Sequence, residues 1–537
     1  MSAQVAPQQA EEIDAVVVGA GFAGLYMMYC LNQMGLNARG FEGGTSVGGT
    51  WYWNRYPGAR CDVESLQYSY GFSEELAQEW EWTERYAAQP EILAYLEHTA
   101  DKFNLRKDFQ FETRVISAHF DAGQNRWLVE TDRGDRFSAR YCVMATGCLS
   151  SANIPVIDGQ DSFKGEVYHT GKWPHHKVDF SGKRVGIIGT GSSGIQSVPE
   201  IAREAAHLTV FQRTPNFSVP ARNRPMDPAF QADIKANYAE FRANLRDLPL
   251  ACFEDTGAPS AVEETEAQRE ARYEEYWQRG GLIFLAAYAD LLTNEASNKT
   301  AAEFVRRKIR EIVKDPQVAD TLSPDHIIGC KRPCSDTGYY EAFNRDNVAL
   351  VDLTKTPIES ISETGVVIDG DTVDIDCLIY ATGFDAMTGS LDRIDIRGKQ
   401  GEQLKEKWAP GPQTYLGLQT AGFPNLFTIT GPGSPSVLAN MVTAAEQHVD
   451  LIADCIEHLR EQGKSCIEPS QQAEDEWGSQ VSRYANATLY PTCNSWYMGA
   501  NIPGKPRVFL PYIGGYPSYV KTCEEVVADN FRGFEIS

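Results

Sequence analysis

Positive charge is scarce in this sequence. Its 49 Lys and Arg residues stand against 73 Asp and Glu, a formal net charge of −24, which repels phosphate backbones and anionic membrane surfaces and argues against nucleic acid as a partner. Long apolar runs are also missing: no stretch approaches the roughly 20 residues needed to span a bilayer. The opening MSAQVAPQQAEEIDAVVVGAG lacks a basic region followed by an apolar core, so no export signal is read and a cytoplasmic protein away from membranes is expected. The twelve cysteines are scattered without paired metal spacing, and Cys330 and Cys334 have no second pair or histidine cluster beside them. Free thiols and no metal site are the expectation.

At 537 residues the chain exceeds what one core accommodates, and two or three domains are expected. Residues 1–12 are polar and contain Pro and Gln, which predicts a disordered arm. Asp14-Ala-Val-Val-Val18 then reads as a fully buried strand, followed by Gly19-Ala-Gly21-Phe-Ala-Gly24 and an apolar helix from Leu25 to Met34. The first glycine makes a tight turn, the second admits a pyrophosphate to the backbone, and the third lets helix and strand pack closely. The helix N-terminus offers unpaired N–H groups to phosphates. A second strand, Ala38 to Phe41, ends in Glu42, an acid placed to accept from ribose hydroxyls.

The next segment, Gly48 to Asp62, is GGTWYWNRYPGARCD, too rich in glycine and rings for a regular helix or strand. Such a stretch suits either a flat cofactor or an aromatic core. Leu93 to Phe103 reads as a helix, and residues 109–144 as a small antiparallel sheet closing at Ala145-Thr-Gly147. Farther on, Arg184 to Ile188, Gly189-Thr-Gly191-Ser-Ser-Gly194, a helix from Ile195 to Glu204 and a strand from Leu208 to Phe211 repeat the same grammar. Where the first unit carries Glu42, this one carries Gln212-Arg213. A guanidinium attracts a 2′-phosphate that a carboxylate repels, so the second nucleotide is expected to be NADP.

Residues 224–325 turn acidic and helical, with Ile234, Tyr238, Phe241 and Leu245, and later Tyr273, Tyr276 and Trp277, at helical spacing. They predict an inserted helical subdomain packed on the second nucleotide unit. Lys331-Arg332-Pro reads by itself as a solvated basic loop. From about residue 387 the chain is expected to return to the first domain. Thr430 to Met441 is a broken loop opening into a helix from Val442 to Leu459, and the irregular Asn494 to Arg507 segment reads as a mobile lid or a structural Trp.

Between the two glycine motifs lies Phe163-Lys-Gly-Glu-Val-Tyr-His-Thr-Gly-Lys-Trp-Pro174. From residue chemistry it is a linker whose rings pack between domains and whose His169 is either satisfied by backbone or a chemical participant. The pattern Phe163, Gly165, His169, Trp173, Pro174 strongly resembles the fingerprint of the Baeyer–Villiger monooxygenases, there an interdomain linker. GGTWYWNRYPGARCD is similar to what that family lays along FAD, and GPGSPSVLANM and SWYMGANIPGKPR resemble its phenylacetone and steroid monooxygenase branch.

The resemblance covers essentially the whole chain. It implies an α/β fold with two dinucleotide-binding (Rossmann-like) domains of flavoprotein monooxygenase type and a helical insert. The expected boundaries are 1–150 for the first part of the FAD domain, 151–223 for the first part of the NADP domain with the fingerprint at 163–174, 224–329 for the insert, 330–386 for the rest of the NADP domain, and 387–537 for the rest of the FAD domain with its mobile loop near 494–507. It implies that NADPH reduces FAD, that reduced flavin takes up O2 as a C4a-peroxide, and that this attacks a ketone to give an ester or lactone. Arg332 would supply charge beside the peroxide, paired to Asp62. Lys331 and Arg213 would clamp the 2′-phosphate and Trp496 would close over the site.

The cofactor set is expected to be Gly19, Gly21, Gly24, Glu42, Gly49, Thr50, Trp51, Asp62, Tyr68, Gly189, Gly191, Ser192, Ser193, Gly194, Arg213, Thr214, Lys331 and Trp496, with Ser436, Val437, Leu438 and Met441 lining the substrate pocket. The expected partners are a small ketone and O2, acting on a monomer or weak homo-oligomer. An N- or S-oxygenating flavin monooxygenase would share both glycine motifs, but Trp173-Pro174 and Lys331-Arg332 discriminate against it. A redox-sensing protein that holds both cofactors would consume no oxygen beyond the slow leak of free flavin.

Overall fold

The structure, a computed structural model, describes residues 10–252 and 257–537. The expected disordered arm lies outside the described residues up to residue 9, but its last part is ordered: the chain is in a strand from Glu11 to Val18. That strand is buried because it has parallel neighbours on both sides, Ala38–Phe41 and Arg136–Met144. Such a position demands the unbroken Val16-Val17-Val18 run rather than alternation.

The first sheet has eight strands. Its order is Asp395–Arg397, Val115–Asp121, Arg126–Thr131, Arg136–Met144, Glu11–Val18, Ala38–Phe41 and Phe109–Gln110, with Leu426–Thr428 joined to Arg136–Met144. Residues 109–144 therefore do not form a separate antiparallel sheet as expected. Their meander, 115–144, is one wing of the parallel sheet, and Phe109–Gln110 pairs at its far edge with Ala38–Phe41. Alternation identifies strands but not the sheet they join.

A second sheet of five strands, all parallel, runs Val348–Asp352, His207–Gln212, Arg184–Ile188, Cys377–Tyr380, Glu166–His169. Its edge strand, Glu166–His169, belongs to the fingerprint, so that stretch is not a plain linker. Val185, Ile187, Leu208, Val210, Cys377 and Ile379 are fully buried in its core.

The insert divides between the two units, which corrects the expectation that it packs on the second alone. Ile234 and Phe241, from helices Pro228–Ala236 and Tyr238–Asp247, pack on the core of the first unit. Tyr273, Tyr276 and Trp277, from Glu266–Arg279, and Phe304, from Glu295–Ile312, join the core of the second. Both sets obey helical spacing, and spacing carries no information about the partner.

A second correction concerns cysteine. Cys330 and Cys493 form a disulfide with a Cα–Cα distance of 6.0 Å across 163 residues of sequence, while the other ten are free. Among the described residues no helix is long and apolar enough to cross a membrane, and no group of His, Cys, Asp and Glu could hold a metal ion.

The helix Met441–Glu461 fixes the loop before it through a buried histidine. His448 Nδ1 accepts from the Thr430 N–H at 3.1 Å, and Nε2 lies 2.6 Å from the Tyr519 hydroxyl, which itself donates to the Leu416 carbonyl. Only the neutral ring fits, because a proton on Nδ1 would oppose the Thr430 N–H. Burial accordingly lowers the pKa of His448 to about 4. The unfolded chain takes up this proton near pH 6.5, so the contribution is fully present above that pH and is lost as pH falls from 6.5 through 4, about 3 kcal/mol in all. Urea unfolding of wild type and His448→Gln across that window is expected to show a shallower acid loss in the variant; parallel curves would refute it.

Candidate active site

Each glycine turn leads into a helix whose first N–H groups receive no side-chain cap among the described residues. Gly21 caps Phe22–Gln33 and Gly191 caps Ser192–Glu204. Beside the first turn, Glu42 is buried; its Oε2 accepts from the Ala20 N–H at 3.0 Å and its Oε1 from the Gly44 N–H at 2.8 Å. Each oxygen retains a lone pair, as a ribose diol requires. Gly49, with φ +52°, brings the aromatic segment onto this turn: a Cβ there would lie 2.8 Å from the Gly21 Cα.

Thr50–Trp53 form a single helical turn rather than the irregular chain expected. Thr50 is exposed, Trp51 is buried, and the Trp51 Nε1–H donates to the Tyr68 hydroxyl at 3.2 Å. Gly19 and Gly24 complete the tight strand–helix junction, as Gly189 and Gly194 do in the second unit. A Cβ on Gly191 would meet nothing within 4 Å. Backbone approach, N–H groups without a side-chain cap and a ribose acceptor fit the pyrophosphate and sugar of FAD at the first turn.

At the second turn, the Ser193 hydroxyl lies 2.9 Å from that of Thr170, the Ser192 hydroxyl 3.3 Å from the Cys334 sulfur, and the Thr214 carbonyl accepts from the Thr190 hydroxyl at 3.0 Å. Arg213 is exposed at the strand end. Burial and then the Arg213 charge lower the pKa of Lys331. Among the described residues neither cation has an ion-pair partner. Two cations that repel each other beside the second glycine turn, with Asp325 only a minor counterweight to Lys331, fit the doubly charged 2′-phosphate of NADP.

Arg332 lies between the units. Its Nε donates to Asp62 Oδ2 at 2.7 Å, its Nη2 to Asp62 Oδ1 at 2.9 Å, and its Nη1 to the Val437 carbonyl at 3.0 Å. Burial works against its proton, but the facing carboxylate more than offsets this and keeps the guanidinium protonated well above its ordinary range. Its backbone is fixed by the Asn216 side chain, which donates to the Arg332 carbonyl at 3.0 Å, and by the strand Cys334–Asp336 paired to Ser218–Pro220. Asp62 is held from the other side: Gln196, in the helix after the second glycine turn, donates to the Arg60 carbonyl at 3.1 Å and accepts from the Tyr56 hydroxyl at 2.8 Å. The aromatic segment thus touches both nucleotide units.

Residues 13–235 match the flavin-binding monooxygenase-like family model. The chain is 42% identical to a Baeyer–Villiger monooxygenase of Pseudooceanicola batsensis, over 97% of this chain and 95% of that one. It is 41% identical to the phenazine N-monooxygenase PhzNO1 of Lysobacter antibioticus, over 97% and 96%. A solved structure of oxidized steroid monooxygenase bound to NADP superposes with a TM-score of 0.94 at 54% identity, covering 98% of this chain and 99% of that one. The chain belongs to the Baeyer–Villiger monooxygenases. It is an FAD- and NADPH-dependent enzyme that inserts one atom of O2 beside a ketone carbonyl, giving an ester or lactone.

In this monooxygenase the fingerprint is built into the second sheet. Phe163 packs with Ile188 and Phe211, and Gly165 allows close passage under Asp376. Trp173 joins the core of the second unit, and its backbone N–H donates to the Trp53 carbonyl of the aromatic segment at 3.2 Å, just before Pro174. His169 is buried, with Nδ1 accepting from the Gly171 N–H at 2.9 Å and Nε2 facing the Asn153 carbonyl and the Thr382 hydroxyl, both at 3.4 Å. Of the two readings of His169, this geometry is the backbone-satisfied one.

Beside Arg332 lies an apolar cluster containing Val437, Tyr490 and Tyr497, against which Leu149, Leu292, Leu438, Met441 and Trp496 are packed part-exposed. Ser436 differs from the pocket-lining role expected of it: it is fully buried, and its hydroxyl donates to the Thr430 carbonyl at 3.0 Å beside Cys148. Three further features are not evident from the sequence. Tyr497 lies buried beside Arg332, whose charge counters the upward push of burial on the phenol. Lys505 binds Asp385 at 2.5 Å and closes the 494–507 loop. The third is the bridge between Cys330 and Cys493. Of the residues involved only Asp385, two residues after a second Ala-Thr-Gly at 381–383, carries a local signal.

Proposed function

We propose that Arg332 and Asp62 form the reacting centre, with the ketone held between the guanidinium and the apolar side chains of Leu149, Leu438, Met441 and Trp496. The observation that carries this is the two-point Asp62–Arg332 contact at 2.7 and 2.9 Å, on segments that meet between the two nucleotide units. Bound FAD and NADPH supply the electrons and the activated oxygen. Arg332 keeps a permanent proton and so a positive charge where negative charge gathers on oxygen, and the surrounding rings shield it in part from water that would weaken it. Asp62 orients the guanidinium, leaving the remaining Nη hydrogens to point elsewhere.

Lys331 and Arg213 hold the 2′-phosphate. Arg213→Ala is expected to lower the preference for NADPH over NADH about tenfold, within the range for a lost charge-assisted contact; kcat/KM for both coenzymes measures it, and an unchanged ratio refutes the assignment. The partly exposed apolar side chains and the steroid monooxygenase likeness support a cyclic or polycyclic ketone. The same reading has the enzyme working as a monomer or weak homo-oligomer in the cytoplasm. Oxygenation of a ring nitrogen is the second reading, favoured by the phenazine N-monooxygenase likeness. Turnover with 18O2 over a panel of cyclic ketones and heteroaromatic amines separates the two: one labelled atom in a lactone supports the first, and a labelled N-oxide without lactone overturns it.

A further inference from the structure

The Cys330–Cys493 bridge has no part in the chemistry above, yet it joins the two elements that meet over the site. Cys330 precedes Arg332 by two residues; Cys493 precedes Trp496 by three and Tyr497 by four. The Cys330 side is anchored to the helix Glu295–Ile312, where Asn298 donates to the Ile328 carbonyl at 2.8 Å and accepts from its N–H at 3.1 Å. On the Cys493 side, Arg507 folds the loop back on its own start, donating to the carbonyls of Pro491 at 3.0 Å and Cys493 at 2.5 Å.

The far end of the loop is held by polar contacts: Lys505 on Asp385, and the Asn501 amide on the Phe384 carbonyl at 2.8 Å. Between these anchors, Tyr497 stands beside Arg332 with its ring 4.2 Å from that of Trp496 and 5.6 Å from that of Tyr490. The bridge is the covalent link between the segment that carries the charge and the loop that covers it.

We propose that Cys330 and Cys493 are positioning residues. As a disulfide they pin the 494–507 loop to the arginine segment, and as two thiols they release it, so their redox state sets how far the loop closes over Arg332. Forming the bond removes two electrons and two protons from the thiols; with hydrogen peroxide as oxidant these leave as two molecules of water, and a dithiol reverses the step by becoming a disulfide itself. A cross-link acts mainly by removing open conformations, so the reduced loop gains freedom without any loss of the contacts it makes when closed. In a reducing compartment such a pair is a state rather than a fixture.

The test uses the FAD-loaded enzyme treated with peroxide or with dithiothreitol. Peptide mapping without reductant is expected to find the Cys330 and Cys493 peptides linked after peroxide. Limited proteolysis inside 494–507 is expected to run about tenfold faster after reduction, and equally fast in Cys493→Ser under both treatments; reoxidation restores the slow rate to wild type alone. Anaerobic reduction by NADPH stays unchanged, while a larger share of electrons ends in hydrogen peroxide instead of product. Two free thiols after peroxide, or equal cleavage and equal electron partition in both states, overturn the proposal. Loop cleavage reads closure whatever the substrate, and reduced wild type decides the matter if the variant does not fold.

Discussion

Arg332→Ala enzyme is expected to accept hydride from NADPH at near the wild-type rate while ester formation falls about 10²- to 10³-fold, the usual cost of removing a preorganised charge from a reacting centre. The separation follows from position. The guanidinium is bound to Asp62 and the Val437 carbonyl, whereas the groups proposed for the second nucleotide lie at Arg213, Lys331 and the Gly191 cap. Arg332→Lys keeps a charge but cannot make the two-point contact with both Asp62 oxygens, because an ammonium lacks the planar fork; it is expected to recover only part of the loss. Stopped-flow reduction without air measures the first half and ester yield per NADPH the second. Retained ester formation in the alanine variant would remove Arg332 from the reaction.

Gly24→Ala is the second large effect, and it acts on cofactor retention. A Cβ at this position would lie 1.8 Å from the Gly19 carbonyl oxygen and 3.6 Å from the Ala145 Cβ. The first contact is with backbone, so the helix itself must move, at a cost of about 1–3 kcal/mol or more. Its N–H groups then leave the position that fits a pyrophosphate. The variant is expected to purify with little flavin and to melt below wild type.

Gly191→Ala is the control. Its φ of −82° suits any residue and its Cβ meets no protein atom within 4 Å, so it is expected to fold normally and retain FAD. Flavin absorbance per mole of protein separates the two outcomes, and wild-type loading of Gly24→Ala would refute the packing argument.

Much of the fold could be read locally. The Glu11–Val18 strand, the Phe22–Gln33 helix, and their counterparts Arg184–Ile188 and Ser192–Glu204 were legible because a buried parallel strand, a glycine turn and a helix leave their marks within about twenty residues. Lys331-Arg332 was different: two adjacent cations have no meaning by themselves, and the pairing with Asp62 came from family resemblance, since 270 residues separate the partners. The packing of the insert is hidden from the sequence for a related reason. Ile234 and Tyr273 sit on equally regular apolar faces, yet one faces the first core and the other the second. The wording of its loop points Ser436 at the pocket, but its positive φ of +44° and its hydroxyl bond to Thr430 turn it inward.

The sequence by itself determined the two nucleotide-binding units, the choice of an acid at Glu42 against a cation at Arg213, and the chemistry available to Arg332. These are properties of short segments, where spacing and charge act over a turn or a strand. Only the tertiary structure decided that Asp62 and Val437 hold Arg332, that the fingerprint completes a sheet edge, and that Cys330 meets Cys493. Each of those depends on loops closing over a hundred residues or more, and the contacts that close them are made between surfaces whose shape no local pattern records.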